Sequence, residues 1–130
     1  MYDKHVICDG SLRNVKRDGE VVGFALDARL PYYRGQPLSI VEDIVVKVDG
    51  EAVDRSAVRL SLRGRTWSLD ALEPETHERW EFGEVATVSV LQPGGLASGG
   101  HAVTVAEHLR ISYLPWPSVT TCTKTLVVAD

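Results

Sequence analysis

The chain has 130 residues, of which 44% are hydrophobic and 25% charged, a composition typical of a globular protein with a sizeable core. The formal net charge is −4 and no basic run is present, which argues against nucleic-acid binding. No stretch of about 18 apolar residues occurs, so we predict no membrane-spanning segment. The N-terminus lacks the apolar region of a secretory signal, so we expect a cytoplasmic protein in which Cys8 and Cys122 are reduced thiols.

The first half of the chain predicts short antiparallel strands joined by tight turns. Asp18-Gly19 and Asp49-Gly50 are both two-residue hairpin signals. Residues 24–30 and 44–48 alternate apolar and polar side chains, as half-buried strands do. Pro31 is expected to end the first of these strands, because proline has no N–H for a sheet hydrogen bond.

The second half continues the pattern with one interruption. Residues 58–62 alternate as another strand, followed by a turn predicted at Gly64-Arg65. Residues 70–79 form the one segment that favours a helix, and Pro74 limits it to a turn or two. Residues 85–91 are apolar on both faces, which predicts a central strand.

Two further strands complete the predicted architecture. Leu109, Ile111 and Tyr113 alternate as one strand, and residues 119–128 form the last. Eight or nine short strands and one short helical turn predict an all-β fold, an antiparallel β-sandwich of immunoglobulin-like or jelly-roll-like type. We expect residues 1–130 to form a single domain.

Two loops carry large aromatic side chains next to prolines. Tyr32, Tyr33 and Arg34 lie between Pro31 and Pro37, and Trp116 lies between Pro115 and Pro117. Tyrosine, tryptophan and arginine dominate protein interfaces because they bury a large area and carry a polar tip. These loops therefore either pack on their own sandwich or contact a partner. By contrast, we predict that Trp67 and Trp80 belong to the core.

The sequence contains no familiar catalytic or metal-binding motif. None of the four histidines lies two or four residues from another, and there is no HExxH, CxxC or EF-hand pattern. Gly94-Gly95 and Gly99-Gly100 are not followed by the residues of a phosphate-binding loop, so we interpret them as turn residues. The glutamates between residues 73 and 84 are interpreted as a solvated acidic surface rather than as a glycosidase pair.

His101 occupies a special position in the pattern L-x-x-G-x-H-x-V-x-V. In immunoglobulin-like sandwiches a tyrosine at similar spacing forms a corner by hydrogen-bonding to the backbone. We therefore predict that His101 hydrogen-bonds to backbone rather than acting in catalysis.

Four runs in the same order resemble the small (β) subunit of bacterial C-glycoside deglycosidases. They are RLPYYRGQPLSIVEDIVVKVDGE, WEFGE, GGLASGGHAVTV and LRISYLPWP, and the resemblance extends from about residue 24 to residue 128. It implies a β-sandwich that pairs with a larger TIM-barrel α subunit in a higher-order hetero-oligomer. In that family the α subunit holds a divalent metal, manganese, and a histidine base, whereas this chain is expected to bind no cofactor.

The resemblance also implies the reaction, a carbon–carbon lyase reaction on aromatic C-glycosides such as those of flavonoids. Oxidation of the sugar at C3 makes the proton at C2 acidic, and its removal lets the C–C bond at C1 break by elimination. No catalytic residue is assigned to this chain. Our candidates for contact with the α subunit, or for the rim of its pocket, are Tyr32, Tyr33, Arg34, Tyr113 and Trp116.

Two other functions are compatible with the sequence. The chain is a free-standing carbohydrate-binding module if exposed aromatic side chains line up to stack on sugar rings. It is a self-contained enzyme if His101, His108 and the acidic cluster converge. The positions of the aromatic and histidine side chains in the fold discriminate between these functions.

Overall fold

The structure, a computed structural model, describes residues 6–30, 35–81, 83–110 and 118–128. Within these ranges the chain is built from strands and short 3₁₀ turns, with no α-helix. The strands are Arg13–Arg17 (β1), Glu20–Arg29 (β2), Gln36–Pro37 (β3), Val41–Val48 (β4), Glu51–Ala52 (β5), Val58–Leu62 (β6), Arg65–Ser68 (β7), Arg79–Trp80 (β8), Val85–Leu91 (β9), Gly99–Leu109 (β10) and Ser118–Val128 (β11). The 3₁₀ turns are Leu38–Ile40, Arg55–Ala57 and Leu69–Ala71.

Two antiparallel sheets form the sandwich that the strand pattern predicts. One has five strands in the order β1-β2-β9-β6-β7, and the other has four in the order β11-β10-β4-β5. A small two-stranded sheet joins β3 to β8. The central place of β9 confirms the prediction made from its two apolar faces.

Two-residue turns close three of the hairpins. Asp18-Gly19, Asp49-Gly50 and Arg63-Gly64 all have positive φ at both positions, between 49° and 86°. This geometry matches the right-handed twist of the paired strands. The two Asp-Gly turns were predicted correctly, whereas the third lies one residue before the predicted Gly64-Arg65.

The hydrophobic core collects the inward side chains of both sheets. Phe24, Leu26 and Ala28 on β2 are at most 1% exposed, as their alternation predicts. Trp67 and Trp80 are also buried, at 6% and 0% exposure, which confirms that both belong to the core.

Two boundaries differ from those predicted. The helical segment expected at residues 70–79 is reduced to the 3₁₀ turn at Leu69–Ala71, and its end joins the small sheet as β8. The strand expected to start at Leu109 is instead the end of β10, because pairing with both β4 and β11 continues to that residue. Ile111 and Tyr113 lie outside the described residues.

Both cysteines are free thiols, with Cys122 buried and Cys8 partly buried. Burial raises the pKa of the Cys8 thiol. In the part of the chain that the structure describes, no helix is long and apolar enough to cross a membrane.

Candidate functional site

The five residues predicted to contact a partner all fall outside the described residues. They are Tyr32, Tyr33, Arg34, Tyr113 and Trp116. The structure does describe the residues on either side of the two loops that carry them. The first loop leaves β2 at Leu30 and returns at Gly35, and the second leaves at Arg110 and returns at Ser118.

Gly35 anchors the return of the first loop. Its carbonyl oxygen accepts a hydrogen bond of 2.7 Å from the Arg79 guanidinium, and the next residue, Gln36, pairs with Trp80. A Cβ atom at Gly35 would lie 1.7 Å from Glu81 Oε1, so a side chain at this position would displace the flexible carboxyl end of Glu81. The loop therefore ends on a backbone held by β8.

Trp80 fastens β8 to the core. Its indole is fully buried, and its Nε1–H donates a 2.8 Å hydrogen bond to the Glu84 carbonyl oxygen. This satisfies the one polar atom of a buried tryptophan side chain. The anchor of the first loop is thus rigidly attached to the sandwich.

The acidic cluster is paired with arginines from the β6–β7 hairpin and from β8. Arg63 pairs with Glu84 and also donates a 2.7 Å hydrogen bond to the Arg79 carbonyl oxygen. Glu78 lies 3.6 Å from Arg63 and 3.5 Å from Arg65. The glutamates are thus part of a network of surface ion pairs, and much of their charge is balanced locally.

The pKa values of Arg63 and Glu84 reflect this pairing. The hydrogen bond with Glu84 raises the pKa of Arg63. Burial alone would raise the pKa of Glu84, but hydrogen bonds from the Glu81 N–H and from Arg63 lower it overall. Both groups are consequently held in their charged forms.

The second loop begins beside the same stretch of chain. The Arg110 N–H donates a 2.9 Å hydrogen bond to the Ile40 carbonyl oxygen, and the Arg110 guanidinium pairs with Glu42. Both loops are thus anchored to residues 35–42. A cleft of about 380 Å³ opens here, lined by Ser39, Val41, Glu42, Arg55, Leu69, Asp70, Glu73 and Arg110.

His101 hydrogen-bonds two acceptors beside the Asp49-Gly50 turn, which follows β4 at the end away from residues 35–42. Its Nδ1 lies 2.8 Å from Asp49 Oδ2, and its Nε2 lies 2.7 Å from the Ala97 carbonyl oxygen. Asp49 Oδ1 also accepts a hydrogen bond from the Ala102 N–H. The predicted hydrogen bond from His101 to backbone is confirmed, and the partner carbonyl lies four residues upstream.

The two acceptors raise the pKa of His101, the Ala97 carbonyl most and Asp49 next. The hydrogen bond with His101 in turn lowers the pKa of Asp49. The hydrogen bonds of His101 and Asp49 connect β10 to the Asp49-Gly50 turn, and the pair becomes an ion pair when His101 is protonated.

The arrangement needed for a self-contained enzyme is not present in the described residues. His101 and His108 are seven residues apart on β10, so their side chains lie on opposite faces of the sheet. Glu78 and Glu84 of the acidic cluster form ion pairs with Arg63. Among the described residues, no three histidine, cysteine or acidic side chains come close enough to hold a metal ion.

The described part of the chain also lacks a row of exposed aromatic side chains. Its three aromatic residues, Phe24, Trp67 and Trp80, are all buried. The Arg65 guanidinium lies over the Trp67 ring, 4.8 Å from its centre. Stacking on sugar rings from a sheet face is therefore not provided by these residues.

Sequence reasoning missed one unusual residue, Glu107 on β10. Its side chain is 1% exposed, and neither carboxyl oxygen has a hydrogen-bond partner in the described structure. Burial raises its pKa well above the usual value. The signal was present, since Glu107 takes the inward register of Val103, Val105 and Leu109.

Comparison with known proteins identifies the family. The sequence profile of the C-glycoside deglycosidase beta subunit matches residues 2–113. This chain belongs to that family. The resemblance noted from the four sequence runs is thereby confirmed.

Several named members of the C-glycoside deglycosidase beta subunit family are similar along most of their length. A C-glycoside deglycosidase beta subunit from Eubacterium cellulosolvens is 31% identical over 87% of this chain and 78% of the relative. A 3'-dehydrocarminate deglycosidase beta subunit from Microbacterium sp is 38% identical over 72% of this chain and 70% of the relative. A C-glycoside deglycosidase beta subunit from Arthrobacter globiformis is 32% identical over 88% of this chain and 83% of the relative.

Proposed function

We propose that this chain is the small subunit of a heteromeric C-glycoside deglycosidase. It stabilises a larger TIM-barrel α subunit and contributes to the rim of that subunit's pocket. The observation that carries the proposal is the family match over residues 2–113. The names of the relatives describe β subunits, and a β subunit acts with a partner chain.

The proposed reaction is an elimination from a 3-oxo C-glycoside. A base removes the acidic proton at C2, the electron pair forms a C1–C2 double bond, and the C1–aryl bond breaks. The aromatic ring departs as a phenol-stabilised carbanion and is protonated. One relative is named for a 3'-dehydro substrate, which is the oxidation state that makes this proton acidic.

The chemistry is assigned to the α subunit, which would bring a divalent metal and a histidine base. Proton abstraction of this kind needs an electrophile and a base in one place. The described histidines of this chain are separated, because His101 bridges Asp49 and Ala97 while His108 lies on the other face of β10. This supports a bracing role rather than a catalytic one.

The proposed contact surface is the end of the sandwich around residues 35–42. The 31–34 loop is anchored there by Gly35 and the 111–117 loop by Arg110. An interface residue loses less conformational entropy on binding when its backbone is already held in place. The paired charges of Arg79 and Arg110 would then form a polar rim around the aromatic side chains of the loops.

Co-expression tests the proposal. This chain is tagged, produced with a TIM-barrel protein encoded next to it, and purified through the tag. We expect the barrel protein to co-purify and the complex to release the aglycone from a 3-oxo C-glycoside, with loss of activity after chelation. Sugar binding by the isolated chain, without any association with the barrel protein, would instead support a carbohydrate-binding module.

The contribution of the first loop is tested by the double variant Tyr33→Ala, Arg34→Ala. We expect weaker association with the α subunit, by about tenfold or more in dissociation constant, because interface tyrosine and arginine often contribute more than 1 kcal/mol each. Arg17→Ala is the matched control, since Arg17 lies beside the Asp18-Gly19 turn at the other end of β2 from Leu30. Calorimetry that finds equal affinity for all three proteins would remove the loop from the interface.

A further inference from the structure

The outer face of β10 and β11 is almost free of charge. On β11 the outward side chains are exposed and β-branched: Val119, Thr121, Thr123, Thr125 and Val127. Their neighbours on β10 are small, apart from His108, and Thr104 Oγ1 lies 2.9 Å from Thr123 Oγ1. Val119 and Val127 are 53% and 62% exposed, which makes them two of the most exposed large apolar side chains described.

The outer face of the five-stranded sheet is different. Arg13 and Asp27 form an ion pair across β1 and β2, and Arg59 lies on β6. On the outer face of the four-stranded sheet, by contrast, the charged side chains lie on β4, where Lys47 is opposite Thr104 and Asp43 is opposite His108, and the part of the face next to the β11 edge carries none.

β11 is also an unusually open edge strand. Among the residues that the structure describes it pairs with β10 alone, over eleven consecutive residues without a bulge. Alternate N–H and C=O groups of an edge strand point away from the sheet, and proteins commonly protect such an edge with proline, a bulge or an outward charge. β11 has no proline, and its one charged residue, Lys124, turns its ammonium to the Ile7 carbonyl oxygen and to Asp9.

We propose that a second copy of this chain covers the edge, by antiparallel pairing of β11 with β11 about Thr123. The two four-stranded sheets would then form one continuous eight-stranded sheet. This inference does not depend on the proposed function, since it concerns contacts of the chain with itself.

The sequence of β11 is self-complementary in this register. Its outward row reads the same in both directions, so Thr123 meets its own copy, Thr121 meets Thr125, and Val119 meets Val127. Cross-strand pairs of β-branched and threonine side chains stabilise antiparallel sheets. A two-fold interface requires just such reciprocity.

The single charge on β11 is compatible with this register and with a second copy as the partner. With Thr123 at the centre, Lys124 of one chain faces Cys122 of the other, whereas moving the centre to residue 124, a register shift of two residues, would place Lys124 opposite itself. The outward row brings no like charges together, although the chain as a whole carries a net charge of −4. Because one pair of strands buries less than the about 1,200–2,000 Å² of a stable interface, the dimer should form reversibly as concentration rises.

Single cysteines test the register directly. Thr123→Cys places two cysteines opposite each other at the about 4.5–5.5 Å Cα separation of paired strands, which suits a disulfide. Thr121→Cys is the matched control, because its opposite residue is Thr125. Under mild oxidation of the full chain we expect Thr123→Cys to form a covalent dimer, whereas Thr121→Cys and the parent chain should not. The parent measures the background cross-linking of Cys8 and Cys122. Equal cross-linking of the two variants, or none in either, would overturn the proposal.

A pair of lysine variants separates the edge from the face. Thr123→Lys sets like charges opposite each other and should raise the dimer dissociation constant at least about tenfold in sedimentation velocity. Thr104→Lys adds the same charge to the neighbouring strand on the same face and should change the constant by less than about threefold. If the two lysine variants raise the dissociation constant equally, the partner binds the sheet face rather than the edge. If Thr123→Lys no longer binds the α subunit but Thr104→Lys still does, the α subunit occupies the edge. Either result refutes pairing of two copies, as does a parent chain that stays monomeric at every concentration and single-copy in its complex.

Discussion

Replacing the carboxyl group of Glu107 should stabilise this protein. The side chain is 1% exposed, and both of its oxygens lack hydrogen-bond partners in the described structure. A buried polar group without a partner costs about 1–3 kcal/mol of folding free energy. Glu107→Met keeps a similar volume and removes both oxygens, so we expect the free energy of unfolding to rise by about 1–3 kcal/mol.

The same carboxyl group should make stability depend on pH. Burial raises the pKa of Glu107 in the folded chain well above the value of about 4.3 in the unfolded chain. Between these two pKa values the folded chain keeps the Glu107 proton while the unfolded chain releases it. The parent protein is therefore most stable at low pH, and its free energy of unfolding falls as the pH rises. Glu107→Gln cannot ionise, and its stability relative to the parent should therefore increase from pH 4 upwards.

Chemical and thermal unfolding at several pH values measure both effects. For a chain of this length, 1 kcal/mol corresponds to about 4 °C in melting temperature. Glu51→Gln is the control, because it removes the same formal charge from an exposed position on β5. The reasoning is refuted if Glu107→Met lowers the stability at every pH, or if the advantage of Glu107→Gln is the same at pH 4 and pH 8.

Two further predictions concern backbone packing and the His101 bridge. Gly23→Ala would place a Cβ atom 1.9 Å from the Val90 carbonyl oxygen across the β2–β9 pair, so we expect the free energy of unfolding in urea to fall by about 3 kcal/mol. Gly100→Ala is the control, because its Cβ meets its nearest atom at 3.8 Å and should cost about 1 kcal/mol or less. Equal losses in the two variants would show that β2 and β9 do not approach so closely. NMR titration should give His101 a pKa above its usual 6.5. Its raised pKa means that the stability it adds is complete below about pH 6.5 and is lost as the pH rises through the folded value, so His101→Asn should weaken the protein more at pH 5 than at pH 9. A titration at or below pH 6.5 would contradict the two-acceptor geometry.

Local sequence signals predicted the strands well where side chains alternate or a turn needs positive φ. The Asp18-Gly19 and Asp49-Gly50 turns were placed correctly, because few residue pairs accept that geometry. Arg63-Gly64 was misplaced by one residue, since arginine seldom adopts positive φ and gave no signal of the turn's first position.

The candidate site was less predictable. The sequence singled out the aromatic loops from residue type, but it did not indicate that Gly35 and Arg110 tie both loops to residues 35–42. It also did not indicate that Glu78 pairs with Arg63 and Arg65, because these partners are 15 and 13 residues away in sequence. Contacts between distant strands depend on sheet order, which no local pattern encodes.

By itself, the sequence determined the fold class, the core strands and the family. Alternation with a period of two specifies which side chains are buried whatever the order of the strands, and the four family motifs are local runs. Only the tertiary structure decided which strands flank β9, that β11 is the edge strand of its sheet among the described residues, and that Glu107 is buried without a hydrogen-bond partner there. These properties depend on which strands lie side by side, and that order is set by the packing of the whole sandwich rather than by any one segment.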